Sequence, residues 1–260
     1  GGVGGSGGGG AGEQPPEEPT PIGAFRFNTD TSRLEYYDGS QWVDVVLDSP
    51  IEHTGGVRGL FFGGRTPSDV DTIDYINIST TGNAIDFGNR LAAARQAGGT
   101  ASRSRGVAVG RSGGNDTIEF VTIASTGNAQ DFGNSTAARG GSPMAVSDGV
   151  RGIFAGGDPG TITNLIDYVT IAQTGNAVDF GDLIIAQSDG GRVQSPTRGI
   201  IAGGRTPPSS TKTNVIEFIT MSSTGNGADF GDLIQGRNEI AADSNAVRGI
   251  FAGGNSGGAV

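Results

Sequence analysis

The chain contains no cysteine, one histidine, one lysine and one tryptophan. Without cysteine there is no disulfide framework, no thiolate metal site and no cysteine nucleophile. A lone histidine, His53, excludes histidine-based metal clusters and leaves only a single-histidine version of a Ser-His-Asp triad. His53 itself is expected to play a bland part in a strand or loop. No apolar run approaches the ~18 residues that a membrane-spanning helix needs. Positive charge is also scarce: 17 Lys and Arg against 27 Asp and Glu give a formal net charge of −10. That balance repels a phosphate backbone and an anionic membrane surface, so neither nucleic-acid binding nor membrane insertion is expected. No signal peptide is visible.

What the chain has instead is glycine, 49 in 260 residues, with only 34% hydrophobic residues. The apolar residues are gathered in short periodic clusters, which points to a glycine-rich repeat fold with a thin, distributed core rather than to disorder. Residues 1–21 (GGVGGSGGGGAGEQPPEEPTP) form a low-complexity linker or attachment arm. Residues 22–48 read as a small β module containing Trp42, with alternating Phe25 and Phe27 and a DGS turn between RLEYY and QWVDV. Residues 49–260 carry the repeats.

An Arg-Gly pair opens an apolar run at Arg58, Arg105, Arg151, Arg198 and Arg248, spaced 47, 46, 47 and 50 residues apart. Each of the first four runs is followed by a strand-like segment (TIDYINI, TIEFVTI, LIDYVTI, VIEFITM), a Thr-Gly-Asn corner and the tripeptide DFG. DFG alone suggests a kinase magnesium site. Four copies, no HRD segment and only Lys212 as lysine exclude that reading. The repeated motif is instead a structural corner, with the phenylalanine packing the sheet and the glycine reversing the chain. A period of 40–50 residues with several short strands indicates propeller blades of four strands, a to d. The Gly-Gly doublets end strand b, and Thr-Gly-Asn joins c to d.

The doublet, the aromatic residues Tyr75, Phe120, Tyr168 and Phe218, and the second aromatics Phe87, Phe132, Phe180 and Phe230 resemble the kelch blade, with phenylalanine where kelch repeats usually have tryptophan. IDYVTIAQTGNAVDFGDL resembles repeats in structural proteins of tailed phages, notably cyanophages. GAFRFNTDTSRLEYYDGSQWVDV resembles a module of phage tail-fibre proteins. The resemblance implies an all-β, five-bladed kelch-like propeller. Its last blade would take strands from about Arg33 to Val46 to pair with RGIFAGG at the far end. In the alternative, a four-bladed ring stands beside a separate N-terminal trimerisation module.

The repeated acids Asp74, Glu119, Asp167 and Glu217 raise the question of paired-carboxylate hydrolysis. They recur alike in every copy, whereas such catalysis needs unlike environments. A structural ring pairing with Arg58, Arg105, Arg151, Arg198 and Arg248 is the expectation. The sialidase-type Asp box and the copper ligands of kelch-type oxidases are absent, and no cofactor or metal is expected. The Asn-x-Ser/Thr sites at Asn77 and Asn134 are weak matches. In an a-b-c-d meander the b–c and d–a connections share one end. The b–c loops vary in length and content while the c–d corners hardly vary, so the b–c end is the candidate recognition surface. Its candidate binding residues are Arg65, Thr66, Asp158, Arg205, Thr206 and Lys212.

The expected function is that of a non-enzymatic virion protein, a tail-fibre or surface-decoration component recognising the host surface. Its partners would be other virion proteins through the N-terminal arm and host surface polysaccharide, and the tail-fibre likeness implies a homotrimer. The alternatives are a virion-associated polysaccharide depolymerase or glycosidase, and a cellular kelch-type peptide-binding adaptor.

Overall fold

The computed structural model describes residues 20–29, 33–45, 57–208 and 211–257. His53 and the glycine-rich arm lie outside the described residues. The chain divides into two compact units, residues 1–50 and 51–260. All described elements are β-strands in small antiparallel sheets.

The first unit holds one sheet of three strands, β1 (Phe25–Asn28), β2 (Arg33–Tyr37) and β3 (Trp42–Asp44), in that spatial order. Period-two alternation puts Arg26, Asn28 and Glu35 on one face. There the Arg26 and Asn28 side chains donate to the Glu35 carboxylate at 2.7 and 2.9 Å, and the Arg26 guanidinium lies over Trp42. The Asn28 hydrogen bond and then Arg26 hold the Glu35 carboxyl below its ordinary pKa. The other face presents Phe25, Phe27, Leu34 and Tyr36 to solvent. Because β2 has β1 on one edge and β3 on the other, its ladder positions are filled within this sheet. β1 and β3 keep open outer edges, so β2 is the one strand of this segment that cannot take the place expected beside RGIFAGG.

The second unit begins with β4 (Arg58–Arg65), β5 (Asp69–Asn77) and β6 (Ile85–Asn89), a three-stranded sheet. Three four-stranded meanders follow. They are β7 (Gly98–Ala101) to β10 (Gln130–Arg139) through β8 (Arg105–Val109) and β9 (Asn115–Thr122), then β11 (Met144–Ser147), β12 (Arg151–Ala155), β13 (Leu165–Thr170) and β14 (Val178–Asp182). The third consists of β15 (Gly191–Gln194), β16 (Arg198–Ala202), β19 (Val215–Thr220) and β20 (Ala228–Asp232). A short ribbon, β17 (Arg205–Thr206) and β18 (Thr211–Lys212), rises between β16 and β19. A two-stranded sheet, β21 (Ala241–Ser244) and β22 (Gly249–Ala252), ends the unit. The four strands expected per repeat are thus present in the expected a-b-c-d order. Among the described residues the first repeat has b, c and d, and the last has a and b.

DFG makes a β-bulge. In the third repeat Ile166 pairs with Gly181 and Asp167 with Asp179, so Phe180 has no ladder partner. The same shift frees Phe87, Phe132 and Phe230. A bulge re-aims a side chain, and each phenylalanine ring meets its strand-c aromatic edge-on at 5.7–6.2 Å. The packing expected of the phenylalanine is observed. The glycine does not reverse the chain: Gly88, Gly133, Gly181 and Gly231 lie within strands, with φ of +135° to +144°. Core residues fill the spaces between successive sheets. One cluster joins Met144, Ile153, Ile166 and Phe180 to Ile201, Ile219 and Met221 of the next repeat.

Candidate functional site

The signature residues of the repeat are occupied in joining one repeat to the next. Each Thr-Gly-Asn corner docks on strand d of the repeat before it. Gly127, Gly175 and Gly225 N–H donate to Phe87, Phe132 and Phe180 carbonyls, each at 2.7 Å. The asparagine side chains accept from Asn89, Asn134 and Asp182 N–H, each at 3.0 Å. A Cβ on Gly88, Gly133 or Gly181 would collide with the glycine carbonyl of the corner docked there. This close approach, made at positive φ, is why the third letter of DFG is glycine.

The arginines and acids do not pair with one another. Arg58, Arg105 and Arg151 donate to the carbonyls of Ile123, Ile171 and Met221 in the next repeat at 2.6–2.9 Å. With Arg198, they also lie over the strand-c ring of their own repeat. The acids face residues that follow strand d of the previous repeat. Glu119 accepts from Arg90 and from Leu91 N–H. Asp167 accepts from Thr136 N–H and Oγ1, with Arg139 Nη2 at 3.0 Å. Glu217 accepts from Ile184 N–H and Gln187. Gln187 supplies no charge, and burial pushes the Glu217 carboxyl up to about 7. Among the described residues no group of three or more His, Cys, Asp or Glu is placed to hold a metal ion.

The varied b–c loops meet the d–a connections, as the meander requires. Four non-glycine residues of the d–a connections, Gln96, Ser142, Asp189 and Glu239, have φ of +56° to +61°. They form a relay across the repeats: Ser142 N–H donates to Gln96 O, Asp189 N–H to Ser142 O and Glu239 N–H to Asp189 O. Holding such residues left-handed costs about 1 kcal/mol or more each, offset here by the relay.

On this frame Arg205 bonds Asp189 through Nε at 2.5 Å, and its Nη2 lies 3.9 Å from Asp158. Thr206 donates to Thr211 O at 3.1 Å, and Lys212 Nζ donates to Asn255 Oδ1 at 2.7 Å. A cleft of about 490 Å³ beside them is lined by Ile185, Ala186, Thr206, Pro207, Lys212 and Asn214, among others. No lining residue is a carboxylate. The cleft therefore offers hydroxyl, amide and ammonium groups for hydrogen bonding.

The structure brings Asp158, Arg205, Thr206 and Lys212 together at this end. Arg65 and Thr66 belong to the β4–β5 hairpin, where they bond Pro67 O and Ser68 O of their own turn. Sequence reasoning missed Asp189 and Asn255. Asp189 carried a faint signal, because it precedes the Gly-Gly that opens strand a. Asn255 carried none. No family model matches the chain. No curated protein matches it in sequence.

Proposed function

We propose that this chain is a non-enzymatic structural protein of a phage virion, in which kelch-like repeats form consecutive blades displaying the b–c end for host-surface recognition. The observation that carries the reading is the division of labour within each repeat. The constant residues are spent on the joints between repeats, and the varied residues are gathered at the end with the polar cleft. Five strand-b segments mark five blade positions of a propeller. Of the four repeated acids, Glu119, Asp167 and Glu217 are each committed to a separate joint. The ligand class that suits Thr206, Lys212 and Asn214 is a hydroxyl-rich or acidic surface polysaccharide. The exposed apolar face of Phe25, Phe27, Leu34 and Tyr36 suits burial against other copies of the chain, in keeping with a tail-fibre trimer, with residues 1–21 as the attachment arm.

The test is binding of the fluorescently labelled chain to a panel of cyanobacterial cells. Saturable binding to some strains, reduced about tenfold in Thr206→Ala/Lys212→Ala with unchanged circular dichroism, is the expected result. Binding that ignores these substitutions contradicts the assignment of the site. Release of reducing sugar from envelope polysaccharide supports the depolymerase alternative instead.

A further inference from the structure

Among the described residues the joint between repeats occurs three times, and each occurrence needs two halves. The receiving half is a strand d with its bulged phenylalanine, the residue after the DFG glycine, and the arginine that opens strand b. The inserting half is a strand c–Thr-Gly-Asn–strand d hairpin with an acid on strand c. Among the described residues the fourth repeat has a complete receiving half with no hairpin against it. Phe230 is 52% exposed, whereas Phe87, Phe132 and Phe180 are each 2% exposed. Ile234 is fully exposed, and its counterparts Leu91, Thr136 and Ile184 give their N–H groups to the acids of the following repeat. A Cβ on Gly231 meets nothing within 4 Å.

Charge and edge complete the correspondence. Arg237 stands eight residues after Asp229, as Arg139 stands eight after Asp131, and Arg139 is the partner of the Asp167 carboxylate. Arg237 Nη2 donates to Phe251 O at 3.2 Å, and its Nε is buried without a hydrogen-bond partner, as is the Nε of Arg139. Beside Arg237, β22 pairs with β21 along one edge. Its other edge is the one at which β8, β12 and β16 each receive a strand c.

We propose that this face of the fourth repeat, with the outer edge of Gly249–Ala252, is a receptor for one further β-hairpin of the repeat's own kind, a strand c–Thr-Gly-Asn–strand d segment carrying an acid on strand c. Its corner glycine N–H would donate to Phe230 O, its asparagine would accept from Asp232 N–H, and its strand-c carboxylate would meet Arg237. The mode is strand addition: backbone ladder bonds hold the segment, and the buried acid and corner select it. The inference rests on the repeated joint and is independent of the virion assignment.

The probe is a synthetic peptide of residues 165–184 (LIDYVTIAQTGNAVDFGDLI), added to the full chain and followed by calorimetry and thermal melting. One-to-one saturable binding that raises the melting temperature is expected. It should weaken about tenfold or more when the peptide carries Asp167→Ala or the chain carries Gly231→Ala. Arg198→Ala, at an exposed position that does not endanger the fold, should weaken it as well. Absence of saturable binding overturns the proposal, as does binding indifferent to all three changes. Self-association of the chain that the peptide fails to displace also overturns it, because a second copy would then be the occupant.

Discussion

At the scale of single residues, Glu217 stands apart from its counterparts. Glu119 and Asp167 face Arg90 and Arg139, while Glu217 faces the uncharged Gln187. Its carboxyl is raised from 4.5 to about 7 in the folded chain. The folded state therefore binds more protons than the unfolded state between those values. Stability contributed by this group is fully present below pH 4.5 and is lost as the pH rises through 7. The full shift corresponds to at most about 3 kcal/mol. Glu217→Gln should flatten the decline in melting temperature between pH 5 and pH 8 by several degrees relative to the parent chain. Gln187→Arg should flatten it too, by restoring the cation found in the two preceding joints. Equal slopes in all three proteins would refute the assignment. The acids themselves were visible in the sequence as a repeated column. Their partners were not, because Arg90 stands four residues after its DFG aspartate while Arg139 and Gln187 stand eight after theirs. Partners that shift position between copies leave no column to read.

At the scale of elements, the DFG bulge and the Thr-Gly-Asn corner act as one device. Strand order within each repeat was readable, since Arg-Gly, Thr-Gly-Asn and DFG punctuate it at fixed intervals. The contact between the corner of one repeat and the bulge of its neighbour was hidden, because it links residues about 40 positions apart through backbone atoms that carry no sequence signature. For the same reason nothing in RLEYYDGSQWVDV announced that β1 would take the open edge of β2. The device makes a comparative prediction. Gly133→Ala adds a methyl group that collides with Gly175 O at a positive φ, and should cost about 2–5 kcal/mol. Gly231→Ala meets open space and should cost about 1–2 kcal/mol from backbone strain alone. Denaturant unfolding of the two variants measures the difference, and equal losses would contradict the device. Arg105→Ala, which removes a hydrogen bond to Ile171 O and the cover over Phe120, should cost about 1–3 kcal/mol.

At the scale of the whole second unit, stability is distributed along a line of joints. Each repeat buries its strand-c and strand-d side chains against the next, so a repeat has little core of its own. The first and fourth repeats each keep one face outside this scheme, and exposure records it: Ile78 is 65% exposed where Ile123, Ile171 and Met221 are at most 6% exposed. The alternation of constant joints and varied b–c loops follows from the same arrangement. A loop at the far end of a strand pair can change without touching a joint, which leaves Thr206, Lys212 and the cleft beside them open to selection for a ligand.

The central claim is that the Thr-Gly-Asn corners are hydrogen-bonded across repeats rather than being free surface turns. Amide hydrogen exchange read by NMR at the four corner glycines tests it most directly. Gly127, Gly175 and Gly225 should exchange as slowly as the strand-c amides of their own repeats, while Gly82, whose N–H meets no carbonyl of another repeat among the described residues, should exchange at the rate of an exposed turn. Fast exchange at all four would contradict the account.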